Sequence, residues 1–183
     1  MTYDDIAQNL MVAIPGVIKA TVRKAVIAAA RKLCIEANVI AVTETLTLPA
    51  GADSISLSVT DATLEPVRVI YIEDLRRNYY AQVSESMLKF LNTQVVDIDY
   101  VVTMACRPAD GASDLHPDLL RWDEAIENYA LYRMMIMPGK EWSNPQLAQH
   151  HFNIWSGELS TAKQSMALGF NSGPARIKSR NFV

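Results

Sequence analysis

The chain has 183 residues, half of them hydrophobic and one fifth charged, which is enough apolar material for a core without a disulfide or metal staple. Its 17 basic and 20 acidic side chains leave a net charge of −3, which excludes a molecule-wide positive field for gripping nucleic acid. No apolar run approaches membrane-span length. The acidic opening Met1-Thr2-Tyr3-Asp4-Asp5 is unlike a signal peptide, so use in a reducing aqueous compartment is expected.

Thr2 with Asp5 three positions on predicts a capping box and a short helix ending near Ala13, before Pro15-Gly16 breaks the chain. A long helix follows from Val17 to about Ala37. Ile18, Val22, Ala25, Ala29 and Leu33 recur at steps of three and four on one face, and Lys19, Arg23, Lys24, Arg31 and Lys32 occupy much of the rest. Ala28-Ala29-Ala30 at its centre favours helix and lets a neighbouring helix approach closely.

Asn38 reads as the stop, and the character then changes. Val39–Leu48, Ser54–Val59, Val67–Ile72 and Ile98–Cys106 read as strands, with Pro49–Asp53 as a turn. Ser84–Leu91 is expected to make one or two turns of helix, with Glu85 near its positive end. Arg107–Leu115 is a polar loop. Pro117 opens a helix that runs to about Met137, with Leu119, Trp122, Ile126, Tyr129 and Ala130 on one side, and Pro138-Gly139 ends it.

Ser143 or Asn144 then caps a last helix that starts at Pro145. Its seam Ala148, Phe152, Trp155, Leu159, Ala162, Met166 steps four, three, four, three, four, as in heptad packing. With so short a connector, this helix should lie antiparallel on the Pro117 helix. The fold class expected is therefore α+β: a bundle of three to four helices (1–37 and 114–170) with a small antiparallel β unit (38–108) inserted before a C-terminal helical hairpin. Trp122, Tyr129, Phe152, Trp155 and Leu159 are the residues expected to pack the subunit. The closing stretch 171–183 is basic and too poor in apolar residues for its own core, which predicts a flexible tail ordered by a partner.

Candidate chemistry is sparse. His150-His151 are adjacent, so on a helix they point about 100° apart, and no Cys, His or carboxylate stands four residues from either. Surface or interface histidines are the better reading. Glu73-Asp74 with Arg76-Arg77 beside Tyr79-Tyr80 suits a solvated loop or a subunit contact rather than an acid/base site. Asp97 and Asp99 read as exposed strand positions, and Cys34 and Cys106 as buried thiols. No phosphate-binding glycine loop or nucleophile elbow is present. No cofactor or metal is expected. Lys163, Arg176, Lys178 and Arg180 could touch DNA phosphates, but Ile177, Phe182 and Val183 among them favour a protein groove.

Two stretches carry a resemblance. One is the first long helix, from Pro15-Gly16-Val17 through Ala28-Ala29-Ala30-Arg31-Lys32-Leu33-Cys34. The other runs from Trp122-Asp123-Glu124-Ala125 through Met137-Pro138-Gly139-Lys140-Glu141-Trp142-Ser143-Asn144-Pro145-Gln146-Leu147-Ala148 to Phe152 and Ala162-Lys163. Together with the helix–β–helix–helix order, the chain resembles the head-to-tail adaptor (neck, or head-completion) proteins of tailed bacteriophages. The resemblance implies a structural, non-enzymatic protein of the virion neck, assembled in the host cytoplasm. It implies a homo-oligomeric ring, typically a dodecamer, beneath the portal protein, through which double-stranded DNA passes at ejection without sequence reading. The β unit would face a downstream tail or nozzle protein. The tail residues Arg176, Ile177, Lys178, Arg180, Phe182 and Val183 would reach into the portal. Other readings are a tail-terminator or tube-end protein and, from another class, a small enzyme or metal-dependent regulator.

Overall fold

A computed structural model describes residues 1–168. The fold is α+β, with four α-helices and two small antiparallel sheets.

Helix α1 covers Tyr3–Leu10. The capping box at its start is formed in both directions: Thr2 Oγ1 accepts from Asp5 N at 3.1 Å, and Asp5 Oδ2 accepts from Thr2 N at 2.7 Å. Helix α2 spans Lys19–Ala37, two residues shorter at its start than the periodicity suggests. Ile18 is its N-cap and is 73% exposed, so it does not belong to the apolar face, whereas Val22, Ala25, Ala29 and Leu33 are buried. Asn38 stops α2 in the left-handed conformation at φ 55°, where its amide donates to Cys34 O.

The β unit comprises β1 Ile40–Leu48, β2 Ser54–Ser56, β3 Leu64–Ile72, β4 Tyr80–Ser84, β5 Met87–Phe90 and β6 Ile98–Pro108. The larger sheet has the order β1-β6-β3 and the smaller β2-β5-β4, with every pairing antiparallel. β6 is the central strand, and Val102, Met104 and Cys106 on one of its faces are fully buried. α2 packs on this sheet at the Met104–Cys106 end, and Phe90 stacks on Tyr100 at 4.7 Å toward the other. Gln82 of β4 joins the two sheets: its side chain accepts from Val69 N and donates to Val67 O, where bulges distort β3. Arg77 donates to Ile70 O beside it, so polar side chains cover backbone groups that an edge strand would leave open.

Three expectations for this unit change. Ser84–Leu91 is not helical; it forms the turn and second strand of a hairpin, β4–β5. Leu88 and Phe90 are buried while Met87 and Lys89 are exposed, a period of two that outweighs the short helical pattern. Glu85 accordingly meets no helix end; it pairs with Arg107 at 2.9 Å. The strand expected over Ser54–Val59 pairs only as far as Ser56, because its partner β5 begins there, at Met87.

The Pro117 helix is also two elements. Pro117–Trp122 is a 3-10 turn that buries Leu119 and Trp122 three positions apart, matching its three-residue period, and α3 spans Asp123–Met135. Gly139 turns the connector at φ 72°. Asn144, rather than Ser143, caps α4 Pro145–Leu168 by accepting from Leu147 N at 3.1 Å. Contacts between α3 and α4 run in opposite directions along the chain: Tyr132 meets Phe152 and Tyr129 meets Trp155, so the hairpin is antiparallel. The heptad seam lies inside, with Ala148, Trp155, Leu159 and Ala162 buried and Phe152 and Met166 packed against the core.

Candidate functional site

The residues expected to pack the subunit all contribute to the helical half. Trp155 is 6% exposed and its ring lies 4.4 Å from Tyr129, while Phe152 lies 5.5 Å from Trp155 and 4.9 Å from Tyr132. Tyr132 completes this aromatic cluster; the sequence reading missed it, although it stands three positions after Tyr129 on the same side of α3. Leu159 is buried one turn further along α4. Trp122 is buried at the start of α3, with the Arg121 guanidinium 5.0 Å from the centre of its ring.

His151 is held in the hairpin rather than at a metal: its Nδ1 lies 2.8 Å from Asn128 Oδ1, and the Asn128 amide donates to Glu124 O. Burial, with the neighbouring His150, lowers its pKa and favours the neutral ring. Among the described residues no three His, Cys, Asp or Glu side chains gather as a metal site. Cys34 and Cys106 are buried free thiols, pushed up by burial to about 12 and about 11, so both stay protonated at neutral pH. Asp97 and Asp99 are exposed and serve local structure: Asp97 accepts from Ala50 N and Asp99 from Thr47 Oγ1. Glu73 and Asp74 line a shallow depression beside Asp99 and Tyr100, away from any buried base. No helix among the described residues is long and apolar enough to cross a membrane.

Charge in the described part gathers in two places. The first is a network joining the helical half to the β unit. Arg31 of α2 bonds Glu65 of β3 at 3.0 Å and also Asp110; Arg107 of β6 bonds Glu65 at 3.1 Å and Glu85 in the β4–β5 turn. Burial raises the Glu65 carboxyl, but the hydrogen bond from Arg107 and the fields of Arg31 and Arg107 outweigh it and hold it below its ordinary 4.5.

The second is an open groove of about 570 Å³ between α2 and α3. Ile27, Ala28, Ile35 and Tyr129 give it an apolar lining, and Arg23, Lys24, Arg31, Lys32 and Arg133 give it five cations against one acid, Asp110. Arg23 is engaged by Asp4, Arg31 by Glu65 and Asp110, and Lys32 by Glu36. Lys24 and Arg133 make no ion pair among the described residues, and both are exposed.

An apolar tip lies at the other end of the molecule. Tyr79, Leu91, Val95 and Val96 are 45%, 72%, 93% and 63% exposed, beside the start of β6. Leu91 N donates to Tyr79 O and Gly51 N to Gln94 O, so backbone bonds hold the tip in place. The groove is reached at the far end of the same strand, through Asp110. A strand of 11 residues puts tip and groove about 35 Å apart. The tail residues Arg176, Ile177, Lys178, Arg180, Phe182 and Val183 lie outside the described residues.

Compared with models of protein families and with characterised proteins, the chain matches none.

Proposed function

We propose that this chain is a structural head-to-tail adaptor of a phage virion, forming a ring below the portal that joins the DNA-filled head to the tail. One observation carries the reading: an exposed apolar tip and a cationic groove lie toward opposite ends of β6, roughly 35 Å apart by the rise of an 11-residue strand. A ring-forming connector needs one surface for its neighbours and another for its tail-side partner, whereas an enzyme needs one site with converging polar groups. The layout of long helix, β unit and helical hairpin, on which the family resemblance rests, supports the same reading.

In this account the β tip meets the downstream tail or nozzle protein. Its side chains Leu91, Val95 and Val96 are exposed and apolar, which suits a protein contact rather than a DNA contact. The basic tail, through Arg176, Lys178 and Arg180 with Ile177, Phe182 and Val183, enters a groove of the portal. DNA passes through the ring and is not gripped.

Deleting Gly173–Val183 tests the assignment. The truncated chain should keep its circular dichroism spectrum and melting temperature, because the seam from Ala148 to Met166 lies before the cut, yet lose co-sedimentation with portal. Undiminished attachment to portal would remove the tail's role. Binding to tail tube with no affinity for portal would replace the adaptor by a tail-terminator or tube-end protein.

A further inference from the structure

The cationic groove has a counterpart on the same chain. Asp123, Glu124 and Glu127 stand at the start of α3, with Leu120, 44% exposed, one turn before them. Glu127 is half-buried, and no ion pair or side-chain hydrogen bond reaches it among the described residues. Burial raises its carboxyl, and Asp123 and Glu124 add to the rise, so these acids repel one another.

Groove and acids lie on different sides of one helix. At 100° per residue, the three acids centre roughly 150° around α3 from Tyr129 and Arg133, which line the groove. A surface that binds the opposite side of its own kind makes a heterologous contact, and such contacts propagate into closed rings or open filaments.

Nucleic acid is the weaker occupant on physical grounds. Three of the five cations are already engaged by carboxylates of the chain, which leaves Lys24 and Arg133. Two phosphate contacts give little affinity at ordinary salt, and an apolar lining of Ile27, Ala28, Ile35 and Tyr129 offers a phosphate backbone nothing. The acid patch supplies what the groove lacks: carboxylates for two unpaired cations and the Leu120 side chain for the apolar lining.

We propose that the α2–α3 groove is the docking site for the Leu120–Glu127 face of a second copy of the chain, so that copies join head to tail. This rests on the ring reading above and specifies the contact that builds the ring. The area stays modest until a neighbour is seated on each side, so assembly should be salt-sensitive and cooperative.

The test is a charge exchange in the full chain, read by sedimentation velocity with and without portal. One variant carries Lys24→Glu and Arg133→Glu; the other carries Glu124→Lys and Glu127→Lys. Each alone should associate at least about tenfold more weakly than the wild type, since like charges then face each other. Mixed one to one, they should assemble again, because each reversed face then meets the other variant's reversed face and each unchanged face meets the other variant's unchanged face. Circular dichroism of each variant separates lost docking from lost folding, and the mixture tests the contact independently of either variant's own stability. Folded single variants that assemble like wild type, or a folded mixture that stays monomeric, overturn the groove proposal and leave the ring intact. A wild-type chain that is monomeric both alone and on portal overturns the ring reading itself. A short DNA duplex that binds wild type but not the Lys24/Arg133 variant, with assembly unchanged, would assign the groove to nucleic acid and overturn the proposal.

Discussion

The helical half and the β unit are held together by different physics. In the helical half, α2, α3 and α4 bury alanine, leucine and aromatic side chains against each other, and the seam from Ala148 to Met166 faces inward throughout. The β unit is thinner. Its second sheet rests on a three-residue strand, the Gln82 side chain, the Arg107–Glu85 pair and the Phe90–Tyr100 stack, and the β unit carries seven of the thirteen exposed large apolar residues among those described. The contrast separates two roles: the helical half holds most of the buried core, and the β unit leaves apolar surface exposed. Area removed from water stabilises the first; positioned polar groups keep the second from collapsing or pairing edge to edge.

That division can be broken most sharply at Trp155. Trp155→Ala should cost about 3–5 kcal/mol, because a nearly buried indole packed against Tyr129 leaves a cavity the hairpin cannot refill. Urea unfolding followed by circular dichroism would show the midpoint fall for helix and sheet together. A β unit that melts separately, with the helices unmoved, would mean that the halves are less coupled than their packing indicates.

Gln82→Ala is the corresponding cut in the β unit. It leaves Val69 N–H and Val67 C=O without their partner and should cost about 1–2 kcal/mol. Hydrogen exchange should accelerate at the β3 amides around Val69 while α3 and α4 keep their protection.

The Glu65 network crosses the boundary and gives the pH dependence its sign. Glu65 is held below 4.5 in the folded chain, so it contributes stability that is complete above pH 4.5. The contribution is lost as pH falls from 4.5 through the depressed folded value. Its side chain is 37% exposed, which screens the interaction, so Glu65→Gln should cost roughly 1 kcal/mol at pH 7. The difference in melting temperature between wild type and variant should shrink as the pH is lowered below 4.5. A difference that grows with acidity would contradict the assignment.

The smallest effect is expected at the tip. Val95→Asp with Val96→Asp alters two strongly exposed side chains and should change stability by no more than about 0.5 kcal/mol. If the tip is a docking surface, the same variant loses its tail-side partner while it still melts like wild type.

The same contrast explains what could be read from the chain in advance. Elements with a long unbroken period were legible: the α2 face except Ile18, the α4 seam, and the alternation in β1. Capping residues were legible too, since Thr2, Asn38 and Asn144 act within three or four residues of themselves. Ser84–Leu91 was misread because eight residues hold too few turns of either period, and the pairing of Leu88 with Ile55 across 33 positions is what selects the strand. The division of Pro117–Trp122 from α3 was missed because both parts bury the same side. The groove escaped for a related reason. Its cations on α2 were visible as a charged face, but Arg133 and Asp110 join them only through tertiary packing.

Whether the chain is an assembly subunit is decided by its mass in assembly. Full-length protein, alone and bound to purified portal, should give by native mass measurement a closed ring many times the 20.3 kDa subunit, with one fixed stoichiometry and a central channel in negative-stain images. A 20.3 kDa species that persists at high concentration and never joins portal would contradict it.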